Sequence, residues 1–469
     1  MGRTSQVLTG GLLLVALAAV TVPAGMHLAP ALLRANTAPA AVPAAQLAPT
    51  SLATLSGIAP LSPSAPLPAP ATLGAALDSA LALGSAGQFS AYVTDVASGK
   101  VLYSNDGDSP RTPASNLKLL TATAALTVLG AGTRLETSVV AGDAPNTLVL
   151  KAGGDAMLSE GTSDPAAVMG HAGLATLATK TAAALAAGGV KGPVALRIDD
   201  HLFTGPALNP HWDEGDVNAG EIAPIYPMAL YAGRTSPGTA DAAGPRPQDS
   251  ALAVAISFAA ALKAAGVEVD GAITRTAAPV APTHVFATVG SATVAQQVQY
   301  LLAESDNYLA EVMGRLVAVK EGRAASNTGS VAAVRAVLAG LGLPLDGAVT
   351  VDNCGLSGAD LISAHQLVQV VSHLLRHAGS DAGQVLEGLP IAGLTGTLAG
   401  RFGDPDTVDA AGLVRAKTGT LNRVSTLSGY VVDAHGRLLA FSIMGNKLAG
   451  GPASAMPAID AAAAALAGS

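Results

Sequence analysis

Thr112-Pro113-Ala114-Ser115-Asn116-Leu117-Lys118 is the stretch on which the reading of this chain turns. Proline stands where a helix would begin, and a run without charge follows over 119–129. A proline beside small and hydroxyl residues, ahead of Leu and Ala, is a helix-start signal. Residues three apart share one face of a helix, so Ser115 and Lys118 are expected to project together from its first turn. A serine hydroxyl becomes a nucleophile when a base takes its proton, and a neighbouring lysine is one such base. Lysine must be neutral to do so, and its ordinary pKa of about 10.4 has to be lowered by burial or by a nearby cation. The pattern therefore asks for a second cation and a proton shuttle elsewhere in the chain.

Two later stretches supply them. Ser305-Asp306-Asn307 heads a helical pattern, and Lys417-Thr418-Gly419-Thr420 lies on a predicted strand. Taken singly, each reads as a helix cap, a helix start or a strand edge. Taken in order, 190 and 112 residues apart, the three resemble the motif set of penicillin-binding proteins and class A β-lactamases. The resemblance implies that Ser115 attacks a carbonyl, Lys118 takes its proton and Ser305 passes the proton to the leaving nitrogen. Asn307 would hydrogen-bond the substrate amide. Lys417 would lower the pKa of Lys118 and, with the hydroxyls of Thr418 and Thr420, bind a terminal carboxylate. The backbone N–H groups of Ser115 and Thr420 would form an oxyanion hole. Gly419 would let substrate approach the strand.

From about Phe89 to the end, the chain resembles more narrowly the D-alanyl-D-alanine carboxypeptidase/endopeptidase family, the low-molecular-mass class C penicillin-binding proteins (peptidase family S13). The carrying residues are Gly153-Gly154-Asp155, Asp199-Asp200-x-x-Phe203-x-Gly205-Pro206 and Ser305 through Glu311. To these are added Asp352-x-x-Gly355-Leu356-Ser357, Leu389-Pro390-Ile391-Ala392-Gly393-x-x-Gly396-Thr397-Leu398 and Lys417 through Leu421. The family carries an insert between its first two motifs, and the 190-residue gap fits it. The resemblance implies an α/β (α+β) chain of the penicillin-binding/β-lactamase-like transpeptidase fold: an antiparallel sheet flanked by helices, with an inserted smaller α/β domain. It implies a serine-type D-Ala-D-Ala carboxypeptidase, with D,D-endopeptidase as a further activity. Its substrates would be peptidoglycan stem peptides and its covalent inhibitors β-lactams. No metal or other cofactor is implied. Two positions depart from the family pattern, Asn353-Cys354 where Gly-Ser is common and Gly358 where arginine is common. On this resemblance both would flank the pocket for the penultimate side chain.

Composition narrows the alternatives. The 469 residues leave room for two or three domains, and half of them are apolar, which excludes a disordered chain. The formal charge of −8 and the lack of any basic block argue against nucleic-acid binding. A single cysteine, Cys354, excludes an internal disulfide and a thiolate zinc cage. Arg3 precedes an uncharged run over 7–22, the pattern of a secretory leader or a membrane anchor assigned to 1–29. An Ala/Pro-rich spacer is expected over 30–72. The catalytic domain is expected at 73–149 and 286–469, with the insert at 150–285. Localisation is accordingly read as extracytoplasmic. Strands are expected at 89–96, 100–103, 137–140, 148–151, 194–199, 267–274, 414–417, 427–432 and 438–444. Helices are expected at 77–83, at 174–187, at 251–265 and at several places beyond 294.

Three features have plainer readings. Cys354 reads as a small residue packed in a turn. His373 and His377, spaced i, i+4, read as a solvated helix face. Trp212 with Asp213, Glu214 and Asp216 is divided between loop packing and contact with a cationic stem-peptide side chain. Against the carboxypeptidase stand a β-lactamase, which shares the triple but lacks a long insert, and a non-catalytic wall-binding or β-lactam-sensing protein.

Overall fold

The structure is a computed structural model that describes residues 61–62, 64–84, 86–237 and 246–469. The expected leader, most of the spacer and residues 238–245 lie outside the described residues.

Two five-stranded sheets organise the chain. In the first, β1 (Gln88–Asp95) turns back through Gly99, at φ +70°, into β2 (Val101–Asn105). At the far end of the chain β8 (Arg415–Leu421), β9 (Val424–Val432) and β10 (Leu438–Asn446) form an antiparallel meander. β10 pairs with β1, giving the order β2-β1-β10-β9-β8 and joining residues more than 300 apart in sequence. Period-two alternation gives this sheet two apolar faces. On β10, Leu439, Phe441 and Ile443 face one core, and Ala440 and Met444 face another. The first core is closed by α1 (Pro70–Ala82) and the C-terminal α10 (Met456–Ala467), whose Leu77, Ile459 and Leu466 pack there.

The second core is built around α2 (Lys118–Leu129). Every residue from Lys118 to Leu126 is buried, so this helix has no solvent face over more than two turns. Helices α6 (Val294–Ala303), α7 (Asn307–Lys320), α8 (Asn327–Gly340) and α9 (Ala364–Arg376) surround it. Leu, Ala and Thr suit such a position, because small side chains let four neighbours approach at once. Each fully buried Leu contributes about 1.5–3 kcal/mol. This is the α/β arrangement expected, an antiparallel sheet covered by helices.

The second sheet has the order β6-β5-β4-β3-β7. Its strands are β3 (Arg134–Ala141), β4 (Thr147–Lys151), β5 (Ala195–Asp199), β6 (Thr274–Arg275) and β7 (Val285–Thr293). Of the helices α3 (Leu174–Ala187), the short α4 (Glu214–Ala219) and α5 (Ser250–Ala264), α3 and α5 cover it with Leu174, Leu177, Val254 and Phe258. This sheet begins ahead of residue 150 and ends beyond 285, because β3 and β7 pair with each other and form its base. Two strand expectations are corrected. Of the stretch 267–274 only Thr274 is ladder-paired, as the first residue of β6, with Val269 making an isolated bridge to Val194. β7, in contrast, has no counterpart in the sequence reading. Among the described residues no helix is long and apolar enough to cross a membrane.

Candidate active site

The stretch 112–118 does not start an α-helix directly. Ala114–Leu117 forms a 3-10 turn, and the α-helix begins at Lys118. The tighter winding eclipses residues i and i+3, which aligns Ser115 with Lys118 more closely than an α-turn would. Ala114 enters the turn at φ +49°, a conformation costing a non-glycine residue roughly 1–3 kcal/mol. Its neighbours hold it there. Thr112 N donates to Asn446 Oδ1 at 3.1 Å, Thr426 Oγ1 to Pro113 O at 2.8 Å and Asn116 Nδ2 to Ser428 Oγ at 2.9 Å. The turn is thereby fixed to β9 and β10.

Lys118 is completely buried, and three oxygens lie at 2.7 Å from its Nζ: Ser115 Oγ, Asn307 Oδ1 and the carbonyl of Cys354. The carboxamide of Asn307 is oriented by its other end, since Nδ2 donates to Glu221 O at 3.1 Å. Asn307 Oδ1 and the Cys354 carbonyl can only accept. A neutral amine has two protons and one lone pair. With both protons on those acceptors, the lone pair is left for the Ser115 hydroxyl. Burial lowers the pKa of Lys118, while Cys354, Asp352, Asp306 and Glu311 act in the opposite direction when charged.

Lys417 is also completely buried, with Nζ donating to Thr418 O at 2.9 Å. Burial and then the charge of Lys118 hold its pKa well below the usual lysine value. Burial is the leading cause for both lysines, and the repulsion between the two ammonium groups is mutual, disfavouring the charged form of each. At Gly419 a Cβ would lie 2.2 Å from Thr426 Oγ1 and 2.7 Å from Pro113 O, so this glycine admits the 113–114 turn. The same contact sets β8 against the 114–117 turn. Thr418 is buried with its hydroxyl 2.6 Å from that of Thr397, and Thr420 is exposed. Ser305 is half-buried at φ +58°, just ahead of the Asp306 cap of α7. Among the described residues no hydrogen bond joins its hydroxyl to Ser115 or Lys118, so the shuttle expected of Ser305 is not preformed by direct contact.

The floor of the site is the loop 352–357. Asp352 Oδ1 accepts from Cys354 N and Gly355 N, at 3.1 and 2.6 Å, and Oδ2 from Ser357 N and Trp212 Nε1, at 2.9 and 3.0 Å. These four donors aim the Cys354 carbonyl at Lys118. Trp212 is therefore a buried prop for this loop rather than an exposed contact for a cationic side chain. Cys354 contributes its carbonyl, and burial pushes its thiol well above the ordinary value, which keeps it inert. Asn353, the other departure from the family pattern, donates from its backbone and side chain to Glu311, at 2.8 and 2.9 Å. Glu311, Asp352 and Cys354 are the group close enough to share an ion among the described residues, but these hydrogen bonds already occupy the carboxylates. The rings of His373, on α9, and of His377, its C-cap residue, lie 4.3 Å apart between centroids and are tilted by 31°.

Gly355, at φ +79°, packs beneath the serine turn, and a Cβ there would lie 1.9 Å from Ala114 O. Gly355→Ala is expected to destabilise the fold by about 2–4 kcal/mol and to slow acylation, because the turn carrying Ser115 must move. A thermal midpoint and a penicillin-labelling rate both equal to wild type would contradict this.

A buried amine facing a serine hydroxyl, at the edge of an antiparallel sheet with a helical layer behind it, defines a serine hydrolase of the penicillin-binding fold. Comparison with known proteins makes the assignment narrower. The family model for the D-Ala-D-Ala carboxypeptidase 3 (S13) family matches residues 73–249 and 242–467. Carboxypeptidase DacB of Mycolicibacterium smegmatis is 36% identical over 396 residues, 83% of this chain and 83% of its own length. A carboxypeptidase of Mycobacterium tuberculosis is 34% identical over 388 residues, 81% of this chain and 82% of its own. The crystal structure of penicillin binding protein 4 from Haemophilus influenzae shares the fold, with a TM-score of 0.69 at 19% identity over 82% of this chain and 97% of that one. This chain belongs to the D-Ala-D-Ala carboxypeptidase 3 (S13) family and is a serine-type D-Ala-D-Ala carboxypeptidase.

Proposed function

We propose that Ser115 attacks the carbonyl of the penultimate D-alanine of a peptidoglycan stem peptide and holds the peptide as an ester. The observation that carries this reading is the 2.7 Å contact between the Ser115 hydroxyl and the buried amine of Lys118. The Oγ–C bond forms as the hydroxyl proton passes to Lys118. The C–N bond then breaks, and the proton reaches the departing D-alanine amine by way of Ser305. Water hydrolyses the ester and returns Ser115. The N–H groups of Ser115 and Thr420 stabilise the oxyanion, the largest electrostatic contribution in acyl transfer. Asn307 orients the peptide amide. Lys417, Thr418 and Thr420 form the subsite for the terminal carboxylate, beside Gly419.

A crosslinked stem peptide presents the same D-alanyl carbonyl, so D,D-endopeptidase activity follows from the same groups. A β-lactam presents a strained amide to Ser115 and is a covalent inhibitor on this reading. The substrate lies outside the cytoplasmic membrane. The sequence pattern of Arg3 and the uncharged run 7–22 supports export, with the N-terminal segment as leader or anchor.

The direct test is incubation with a pentapeptide ending in D-Ala-D-Ala and carrying lysine or diaminopimelate at its third position. Free D-alanine, measured with D-amino acid oxidase, is the expected product. Rapid nitrocefin turnover without D-alanine release would assign the chain to the β-lactamases instead. Neither reaction, with reversible binding to cell wall, would make it a wall-binding protein.

A further inference from the structure

The segment 389–398 forms a wall between the Ser305 loop and β8. Ala392 N donates to Val414 O and Ala416 N to Pro390 O, each at 3.0 Å, so the wall is stitched to the start of β8. Ile391 N donates to Thr395 Oγ1 at 2.9 Å, which closes the turn on itself. Gly396 has φ +53°, and a Cβ there would lie 2.6 Å from Ala303 O. The turn is thus pressed against the end of α6, two residues ahead of Ser305. Between these fixed points Thr397 Oγ1 lies 2.6 Å from Thr418 Oγ1.

We infer that Thr397 is a positioning residue for the substrate's terminal carboxylate, its hydroxyl donating to Thr418 Oγ1 so that the Thr418 proton is left for the anion. The inference rests on the reading above that Thr418 binds that carboxylate. Two hydroxyls in contact share one proton, and either can supply it. If Thr418 supplies it, Thr418 turns lone pairs toward an incoming carboxylate, acceptor against acceptor. If Thr397 supplies it, Thr418 offers a proton, and accepting one bond strengthens the bond it donates. A carboxylate can only accept, so its arrival selects the second arrangement. Removing the Thr397 hydroxyl leaves the Thr418 rotor without a partner to set its direction.

The test uses Thr397→Val, which keeps the shape and deletes the proton, and Thr397→Ser, which keeps the hydroxyl. Each is assayed on a peptide ending in D-Ala-D-Ala and on the same peptide with its terminal carboxylate capped as the methylamide. The wild-type enzyme is expected to prefer the free acid. Thr397→Val is expected to lose roughly three- to tenfold in kcat/KM on the free acid, carried by KM, and little on the methylamide. Thr397→Ser should restore the preference. Equal losses on both peptides in Thr397→Val would make the residue mere scaffolding and overturn the inference. So would a valine variant that keeps the wild-type acid-to-amide ratio. A wild-type enzyme with no preference for the free acid would instead remove the carboxylate subsite itself.

Discussion

Ser115→Ala is expected to abolish covalent labelling by fluorescent penicillin and to lower D-alanine release by at least roughly 10⁴-fold, the scale of removing a serine nucleophile that works as a unit with its base. The fold should survive. Ser115 is half-buried, and the bonds that fix its turn come from Thr112, Asn116 and Thr426 rather than from its own hydroxyl. An unchanged thermal midpoint beside a lost adduct would therefore separate chemistry from folding. Intact-mass measurement gives the same answer without a dye: wild type gains one penicillin and the alanine variant none. An adduct of full stoichiometry on the variant would place the nucleophile elsewhere and dissolve the mechanism.

How much of this was legible beforehand varies with the kind of interaction. Contacts local in sequence were readable. The i, i+3 pairing of Ser115 and Lys118 follows from any right-handed helical turn, though not whether that turn is α or 3-10. The bounds of α3 and α6 and the turn joining β9 to β10 follow from periodicity and turn residues, while β9 begins three residues earlier and β10 ends two residues later than expected. The meeting of residues 115, 307 and 417 rested on resemblance, because no local rule brings chain segments so distant together. What escaped was carried by main-chain atoms. The Cys354 carbonyl on Lys118 and the Glu221 carbonyl on Asn307 have no side-chain signature, so residue identity cannot announce them. Asp352 stood in a quoted motif, but its four N–H donors appear only when the loop is folded. Gly419 was legible only in part, for a related reason. A glycine on a strand signals that something comes close, and it took the fold to show that this was the 113–114 turn. β7 was missed although Val285-Phe286-Ala287-Thr288-Val289 carries β-branched and aromatic residues, and its partner β3 lies about 150 residues away.

Lys118→Arg is expected to slow acylation by roughly 10²–10⁴-fold, the usual contribution of a positioned general base. Charge is retained, and the guanidinium can still donate to Asn307 Oδ1 and the Cys354 carbonyl. It has no accessible lone pair, so the Ser115 proton has nowhere to go. Wild-type acylation should also depend on pH in a way that the variant does not. The neutral amine is the working form, so the rate rises with pH as Lys118 loses its proton and levels off above its pKa. Burial sets that limb below the ordinary lysine value of 10.5. The carboxyl groups that oppose burial are Asp352, Asp306 and Glu311, and the facing cation is Lys417. Burial raises the Glu311 carboxyl to about 7, so above that pH Glu311→Gln removes one of these negative charges while keeping an acceptor oxygen toward Asn353. It should therefore shift the ascending limb to lower pH. Stopped-flow acylation by nitrocefin across pH resolves both effects. A limb that persists unchanged in Lys118→Arg would mean that another group accepts the proton, and wild-type rates in that variant would remove Lys118 as the base.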